Sequence, residues 1–215
     1  MLSIADLAVA IESVDILRGV SLQLQQGTVA GLIGRNGAGK TTLMRSIMGI
    51  LNWRSGAVRF EERDLAALPP HARSRLGIGY MPEDRRLVPA LTVEENVLLP
   101  LWALGAKDSV TRLQEIYALI PEVAQHRTRK ALQLSGGQQK LVALARALMC
   151  GTKLLLLDEP FEGVAPVLAQ RLVEVIADLK RTGLTVLLSE SDLHHSAGML
   201  DGVFRIDRGV VQRER

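Results

Sequence analysis

The stretch TVAGLIGRNGAGKT (28–41) decides the fold, because it joins a buried strand to a glycine-rich turn and a helix. Residues 28–33 are nearly all apolar, which is typical of a strand covered on both faces. Residues 34–41 then match the pattern G-x-x-x-x-G-K-[ST], and a helical run begins near Lys40. Glycines at these positions let successive backbone N–H groups face an anion. The stretch therefore predicts a phosphate-binding loop, or P-loop, between a strand and a helix.

The loop residues have separate expected roles in binding a nucleoside triphosphate. Lys40 is expected to reach the β and γ phosphates, and the Thr41 hydroxyl to hold Mg²⁺. The sequence thus predicts a site for ATP and Mg²⁺. The predicted nucleotide-binding residues are Gly34, Arg35, Asn36, Gly37, Ala38, Gly39, Lys40, Thr41 and Thr42. A glycine-rich turn without a ligand is the alternative, and the strand–loop–helix context disfavours it.

A second buried run, LLLLDE (154–159), ends in two carboxylates. We expect this strand to lie beside the strand of the P-loop, so that Asp158 sits near the metal. Glu159, which points the other way, could take a proton from an attacking water. Taken alone, such a pair fits a helix cap or a surface role about as well. The P-loop favours the interpretation as a Walker B motif, with Asp158 as a metal ligand and Glu159 as the general base.

The apolar pattern predicts an α/β fold with two kinds of strand. Three continuous apolar runs are typical of a parallel sheet covered by helices: TVAGLIG (28–34), KLLLLD (153–158) and LTVLLS (184–189). Val20–Gln25 instead alternates apolar and polar residues, and we expect Val58–Phe60 to continue this pattern in antiparallel strands. Pro166 begins an amphipathic run, which predicts a crossover helix between two buried strands.

Residues 87–150 are predicted to be mostly helical, with two signals for helix starts. Thr92 with Glu95 fits a capping box, in which two side chains satisfy free backbone donors of the first turn. Ser135 with Gln138, within LQLSGGQQK (132–140), fits a second one. The glycine pair here also leaves N–H groups open to an anion, where the helix dipole favours negative charge. The sequence therefore predicts two anion sites in one chain.

Composition restricts the class of protein. A chain of 215 residues is expected to form one domain, and its 26 basic and 23 acidic side chains do not cluster into the stripe of a nucleic-acid binder. A single cysteine, Cys150, suggests a reducing compartment. No apolar segment approaches the ~18 residues that span a bilayer, so we expect no direct membrane insertion.

The motifs GRNGAGKTT, LSGGQQ and LLLLDEP follow one another in that order, with a helical insert before the second. In this the whole chain resembles the ATP-binding subunit of an ABC transporter. The resemblance implies a P-loop NTPase of the ABC ATPase type, with a parallel-sheet core, an antiparallel β subdomain and a helical subdomain. It implies one domain over 1–215, with the core at about 1–86 and 151–215 and the helical subdomain at about 87–150.

The resemblance also implies partners. Two such subunits pair head to tail, so that Ser135, Gly136 and Gly137 would bind the γ-phosphate of ATP held by the other subunit's P-loop. Gln138 is included among the predicted nucleotide-binding residues of this segment. The pair would sit on integral membrane permeases at the cytoplasmic face of the inner (plasma) membrane. GYMPEDRRLVPALTVEENV (79–97) and DEPFEGVAP (158–166) are similar to single-cassette ATPases of branched-chain amino acid importers, whose relatives serve urea and small amides. PEDRR also resembles sugar importers, which usually have tandem cassettes.

Three positions depart from the general family pattern. Ile11 replaces the aromatic residue that stacks on adenine, which predicts loose adenine selectivity. Glu83 replaces a glutamine near the metal, as is familiar in the branched-chain group, and could ligate Mg²⁺. Ser191 replaces the switch histidine and would need a bridging water to contact the γ-phosphate. With Lys40 and Glu159 retained, we expect catalysis, but slow hydrolysis at this subunit's own site.

Two functions remain open at this point. The first is the ATPase subunit of an importer, in which ATP joins two cassettes and hydrolysis resets them. The second is a regulatory subunit that binds ATP in a heterodimer and contributes its signature motif, LSGGQQ (134–139), to a more active partner. Ile11 and Ser191 favour the second, whereas the intact Walker motifs oppose it. A soluble ABC ATPase of DNA repair or translation is disfavoured, since those usually have tandem cassettes or coiled-coil inserts.

Overall fold

The computed structural model describes residues 1–106 and 109–214, which form two sheets and seven α-helices. The strands are β1 (Leu2–Ile11), β2 (Val14–Leu24), β3 (Val29–Ile33), β4 (Ser55–Phe60), β5 (Arg63–Asp64), β6 (Ile78–Met81), β7 (Leu154–Asp158), β8 (Thr185–Glu190), β9 (Gly202–Asp207) and β10 (Val210–Arg213). The helices are α1 (Lys40–Ile47), α2 (Pro70–Arg75), α3 (Val93–Leu104), α4 (Val110–Leu119), α5 (Pro121–Gln125), α6 (Gly136–Cys150) and α7 (Pro166–Arg181), with a 3₁₀ turn at Ala131–Gln133.

The larger sheet has six strands in the order β10-β9-β3-β8-β7-β6, all parallel except β10. Strands β3, β7 and β8 are the three predicted apolar runs, and every residue in them is buried. Along β7, Leu154 and Leu156 join one cluster of buried side chains, whereas Leu155 and Leu157 join another. Both faces of the sheet are therefore covered, which explains why these strands are apolar throughout.

The smaller sheet is antiparallel, in the order β2-β1-β4-β5. Its alternating pattern buries Val20, Leu22 and Leu24 on one face and exposes the residues between them. The predicted Val20–Gln25 and Val58–Phe60 segments both lie in this sheet, but they are not paired with each other. Strand β1, which the sequence did not reveal, lies between them.

One expectation about strand order is wrong. The strand that carries Asp158 does not lie beside the P-loop strand, because β8 pairs with both β3 and β7 and separates them. The physical reason is that continuous apolar runs show only that strands are buried and carry no information on their order. Asp158 still reaches the P-loop, because α1 extends from the loop and packs against β7.

The predicted helix starts are confirmed. Thr92 caps α3 and Ser135 caps α6, each in a complete capping box with the residue three positions later. Helix α7 begins at Pro166 and connects β7 to β8, with one face buried. Its buried residues are Ala169, Leu172, Val175, Ile176 and Leu179.

Residues 93–150 contain α3 to α6, and α6 joins this helical segment to the larger sheet. Helix α6 packs against α3 on one side and against β6 on the other. Arg146 of α6 donates hydrogen bonds to the backbone carbonyls of Arg85 and Arg86, just after β6. The proposed division into a core at 1–86 and 151–215 and a helical subdomain at 87–150 stays a prediction. Across residues 1–106 and 109–214, each helix is too short or too polar to cross a membrane.

Candidate nucleotide site

The P-loop follows β3 and leaves the start of α1 open. Gly39 precedes the first helical residue with φ of 112°, no side chain of the described residues caps the helix, and its first turn has no acidic residue. The free N–H groups and the helix dipole therefore favour an anion at this end. Gly34 is required for close packing, since a Cβ there would lie 2.2 Å from the carbonyl oxygen of Ile206. The loop thus has the backbone geometry that phosphate binding needs.

Lys40 places a buried ammonium group at the centre of this loop. Its side chain is only 5% exposed. Nζ donates hydrogen bonds to the carbonyl oxygens of Gly34 and Arg35, the latter at 3.0 Å. It also forms an ion pair with Glu159 Oε1 at 3.0 Å. The structure therefore brings together the predicted phosphate-binding lysine and the predicted general base.

Asp158 ends β7 and accepts hydrogen bonds from three hydroxyl groups. Thr41 Oγ1 and Ser189 Oγ donate to its Oδ1 at 3.1 and 2.8 Å, and Tyr80 Oη donates to Oδ2 at 3.1 Å. Sequence reasoning named Thr41 but missed Ser189 and Tyr80. The only available signal was their position as polar residues at or near the carboxyl ends of core strands. Burial and the negative charge of Asp158 raise the pKa of Tyr80, so its hydroxyl keeps its proton.

Glu159 is buried next to this carboxylate. Burial raises its pKa, while the hydrogen bond and charge of Lys40 oppose that shift. Ser191 Oγ lies 3.4 Å from Glu159 Oε1 and donates to Asn36 Oδ1 at 3.0 Å. Ser191 is therefore within reach of both the P-loop and the predicted base. A carboxylate whose pKa is raised by burial is a stronger base than an exposed one, which suits proton transfer from water.

Glu83 follows β6 and lies near the carboxylates of Asp158 and Glu159. Its pKa is raised by burial and by the negative charges of Glu162, Asp158 and Glu159. Clustered carboxylate and hydroxyl oxygens are the ligands that Mg²⁺ prefers. No group of three or more His, Cys, Asp or Glu suited to a metal occurs among residues 1–106 and 109–214. The hydrogen-bonded oxygens of Thr41 and Asp158 suit Mg²⁺ that takes its other ligands from phosphates and water, and the roles of Thr41, Asp158 and Glu83 as metal ligands stay predictions.

The predicted second anion site lies at the start of α6. The N–H group of Ser135 donates to Gln138 Oε1 at 3.0 Å, and the N–H group of Gln138 donates to Ser135 Oγ at 3.3 Å. Ser135 and Gly136 are exposed, while Gly137 and Gln138 are half-buried. Exposure leaves this helix end accessible to a ligand from outside. The role of these four residues toward a second subunit's nucleotide stays a prediction.

Ile11 ends β1 and is 42% exposed. Two residues of β2 instead lie against Gly39 of the loop. A Cβ on Gly39 would lie 2.8 Å from the Leu17 side chain and 3.5 Å from the carbonyl oxygen of Ile16. The contact of Ile11 with adenine therefore stays a prediction.

Comparisons with known proteins identify the family. The sequence profile described as "ABC transporter" matches residues 17–162. The branched-chain amino acid transport ATP-binding protein BraG of Pseudomonas aeruginosa is 35% identical, over 98% of this chain and 91% of its own. The lipopolysaccharide export ATP-binding protein LptB of Acidithiobacillus ferridurans is 34% identical, over 91% of this chain and 82% of its own.

Solved structures give the same result. The crystal structure of a nucleotide-free ATP-binding cassette from an ABC transporter superimposes with a TM-score of 0.89 and 31% identity. It covers all of this chain, which itself spans 91% of that structure. A dimeric bacterial ABC transporter cassette shares the fold, with a TM-score of 0.88 and 23% identity. The P-loop, the Walker B carboxylates and these similarities lead to one conclusion: the chain belongs to the ABC transporter family, as an ATP-binding subunit with an ATP-hydrolysing cassette.

Proposed function

We propose that this chain energises an importer of branched-chain amino acids or related small solutes. The observation that carries the proposal is the arrangement of Lys40, Asp158 and Glu159 within one hydrogen-bonded group. An intact arrangement of this kind favours hydrolysis over nucleotide binding alone. Two relatives support the solute class. BraG is named for high-affinity branched-chain amino acid transport, and a LivF protein of Archaeoglobus fulgidus, 32% identical, is named as a probable one.

In this proposal each site residue has one task. The open N–H groups of the P-loop and Lys40 bind the phosphates, while Thr41, Asp158 and Glu83 hold Mg²⁺. Bound Mg²⁺ would supply positive charge that offsets the phosphate charge. Glu159 accepts a proton from the attacking water, and Ser191 helps to orient that water or the γ-phosphate.

The proposal places the second anion site in a dimer. Ser135, Gly136 and Gly137 of one subunit bind the γ-phosphate of ATP held by the P-loop of another, with Gln138 completing the helix cap. A free helix end that is exposed in one chain then has a ligand from a second chain. The pair acts on integral membrane permeases from the cytoplasmic face of the inner (plasma) membrane. The partner is either a second copy of this chain or a related cassette.

Two specific observations favour other functions. Several LptB proteins are nearly as similar as BraG, and their names describe lipopolysaccharide export. An exporter subunit is therefore the second candidate. Ser191 and Ile11, in positions where the general family has larger side chains, favour a regulatory half of a heterodimer that hydrolyses little ATP itself.

The test is isolation of the native complex through an affinity tag on this chain, followed by reconstitution into proteoliposomes. We expect integral membrane permeases, a second cassette, and ATP-dependent uptake of a branched-chain amino acid or small amide. Lipopolysaccharide-binding partners would instead support export. A complex in which Glu159→Gln in this chain leaves hydrolysis unchanged, while the same change in the second cassette abolishes it, would assign the regulatory role.

A further inference from the structure

The backbone at Glu159 has an uncommon conformation. Its φ is 48°, in the left-handed region that residues other than glycine rarely adopt. Pro160 follows, and a proline disfavours the right-handed helical region for the residue before it. Such conformations persist only where surrounding contacts hold them, and they are frequent at functional sites. The structure therefore raises the question of what holds Glu159.

Both peptide groups of Glu159 are bound by buried side chains. Its N–H group donates to Ser189 Oγ at 3.0 Å, and its carbonyl oxygen accepts from Lys140 Nζ at 2.8 Å. Ser189 is fully buried, and Lys140 is 4% exposed. Hydrogen bonds between buried partners hold geometry well, because neither partner can exchange readily with water. The two side chains therefore fix the backbone before and after the Cα atom of Glu159.

Ser189 uses its hydroxyl on both carboxylate residues. The hydroxyl hydrogen is donated to Asp158 Oδ1 at 2.8 Å, which leaves the oxygen lone pairs to accept the N–H group of Glu159. The sheet sets this position, since Asp158 and Ser189 are register partners in the β7–β8 pair. A single side chain thus couples the orientation of the predicted metal ligand to that of the predicted base.

Lys140 approaches from the opposite direction, from the helix that begins with the signature motif. Besides the Glu159 carbonyl, its Nζ donates to the carbonyl oxygen of Glu162. The ammonium group therefore closes the turn 159–162 at both of its ends. A buried lysine is costly unless its donors are satisfied, and here two of its three donors are bound to backbone oxygens of this turn.

We propose that Ser189 and Lys140 are positioning residues that hold Glu159 in its left-handed conformation, with its carboxylate directed to Lys40 and the reacting water. This inference rests on the proposed role of Glu159 as general base. It adds two residues that act on the hydrolytic site through their hydrogen bonds to the Glu159 backbone. Small displacements of a catalytic group are expensive in rate, on the order of 10²-fold for about 1 Å.

The experiment measures hydrolysis by the full chain in its native complex. Ser189→Ala and Lys140→Met are each expected to lower kcat by about 10-fold or more, with KM and the affinity for a fluorescent ATP analogue changed by less than about 3-fold. Lys140→Arg keeps the donors and should recover most of the activity. Ser46→Ala and Lys180→Met are controls, because each removes a hydrogen bond to a backbone carbonyl away from Glu159; Lys180→Met also removes an ion pair with Asp201.

Combination with Glu159→Gln separates positioning from general stability. If both residues act through Glu159, Lys140→Met or Ser189→Ala adds no further loss of rate to Glu159→Gln. A second readout needs no turnover: hydrogen exchange of the Glu159 amide, measured without nucleotide, should be about 10-fold faster or more in Ser189→Ala.

The outcomes distinguish this inference from the function on which it rests. Unchanged kcat and unchanged amide exchange in Ser189→Ala, with a large loss in Glu159→Gln, would overturn the positioning role and leave the base assignment intact. Unchanged hydrolysis in Glu159→Gln would overturn the base assignment itself. Should Lys140→Met fail to fold, Ser189→Ala decides by the same criteria. Rate losses in Ser46→Ala and Lys180→Met equal to those at the two sites would also reject the inference.

Discussion

Lys40 Nζ and Glu159 Oε1 lie 3.0 Å apart, and their side chains are only 5% and 8% exposed. The same ammonium group is hydrogen-bonded to two carbonyl oxygens of the P-loop. Phosphates that bind to this loop must therefore compete with Glu159 for Lys40. The ion pair connects the occupancy of the loop to the freedom of the base, since a phosphate that takes the lysine releases the carboxylate.

The first prediction follows from this competition. Glu159→Gln should lower hydrolysis by about 10²–10⁴-fold, because an amide cannot accept the proton. It should also raise the affinity for ATP by a few fold, because it removes a negative charge beside the phosphate site. Turnover and nucleotide binding of the variant give both numbers. Glu162→Gln is the comparison, since it removes a neighbouring, exposed negative charge and leaves the ion pair between Lys40 and Glu159 intact. Weaker ATP binding in Glu159→Gln would contradict the competition.

Ser191 is the subject of the second prediction. Its hydroxyl contacts Asn36 in the P-loop and lies near Glu159, but it is too short to replace the donor of a histidine. We expect the wild-type complex to hydrolyse ATP slowly at this subunit's site. Ser191→His should raise that rate by roughly 10-fold, because it restores a group that reaches the γ-phosphate. Ser191→Ala should lower it further. A rate in Ser191→His at or below that of wild type would refute the explanation.

Tyr80 provides the third prediction, through metal affinity. Its hydroxyl donates to the Asp158 oxygen that Thr41 and Ser189 do not use. Loss of a hydrogen bond that orients a ligand weakens metal binding by about 10–100-fold in other sites. Tyr80→Phe should therefore raise the Mg²⁺ concentration needed for half-maximal hydrolysis by about 10-fold. Tyr117→Phe is the control, because it removes a tyrosine–carboxylate bond elsewhere, to Glu94. Equal Mg²⁺ dependence in both variants would exclude this role.

The sequence predicted the parts of the site that lie within short segments. The P-loop and the Asp158–Glu159 pair could be recognised because their chemistry depends on consecutive backbone groups and adjacent side chains. Ser189 and Lys140 could not be predicted in this way. Their contacts with Glu159 depend on the register of β7 against β8 and on the packing of α6, which are long-range features.

In the fold, too, features within short segments could be predicted from the sequence, and long-range pairings could not. Strands β3, β7 and β8 were predicted because burial on both faces makes them apolar throughout. Strand β1 was missed because irregularities in its pairing with β2, between Ile4 and Leu7 and again after Val9, interrupt the alternation that marks a half-buried strand. Strand β6 spans only Ile78–Met81, too few residues for a pattern. Strands β9 and β10 were not predicted either. Local periodicity therefore identified strands β2, β3, β4, β7 and β8, but not the remaining strands or the order of the sheet.

The last prediction concerns Glu190, a buried carboxyl at the end of β8. Ser196 donates to its Oε2, whereas Oε1 has no hydrogen-bond partner among the described residues. Burial raises its pKa from 4.5 to about 7. The negative charges of Glu159 and Asp192 also raise the pKa, whereas the hydrogen bond from Ser196 lowers it. Below pH 4.5 the carboxyl is neutral whether the chain is folded or unfolded. Between pH 4.5 and 7 the carboxyl is ionised in the unfolded chain but still protonated in the folded one, so the stability of the folded state falls as the pH rises. The loss is complete above pH 7, where the carboxyl is ionised in both states.

Glu190→Gln removes this destabilisation, because the amide stays neutral and can still accept the Ser196 bond. The variant should therefore unfold at higher urea than the wild type at pH 8, by about 1–3 kcal/mol in the free energy of unfolding. The advantage should shrink to near zero around pH 4.5, since the wild-type carboxyl is then protonated in the folded state. Urea titrations at both pH values measure the difference, in which contributions of other titrating groups cancel. An equal difference at both pH values would show that the carboxyl does not titrate in this range.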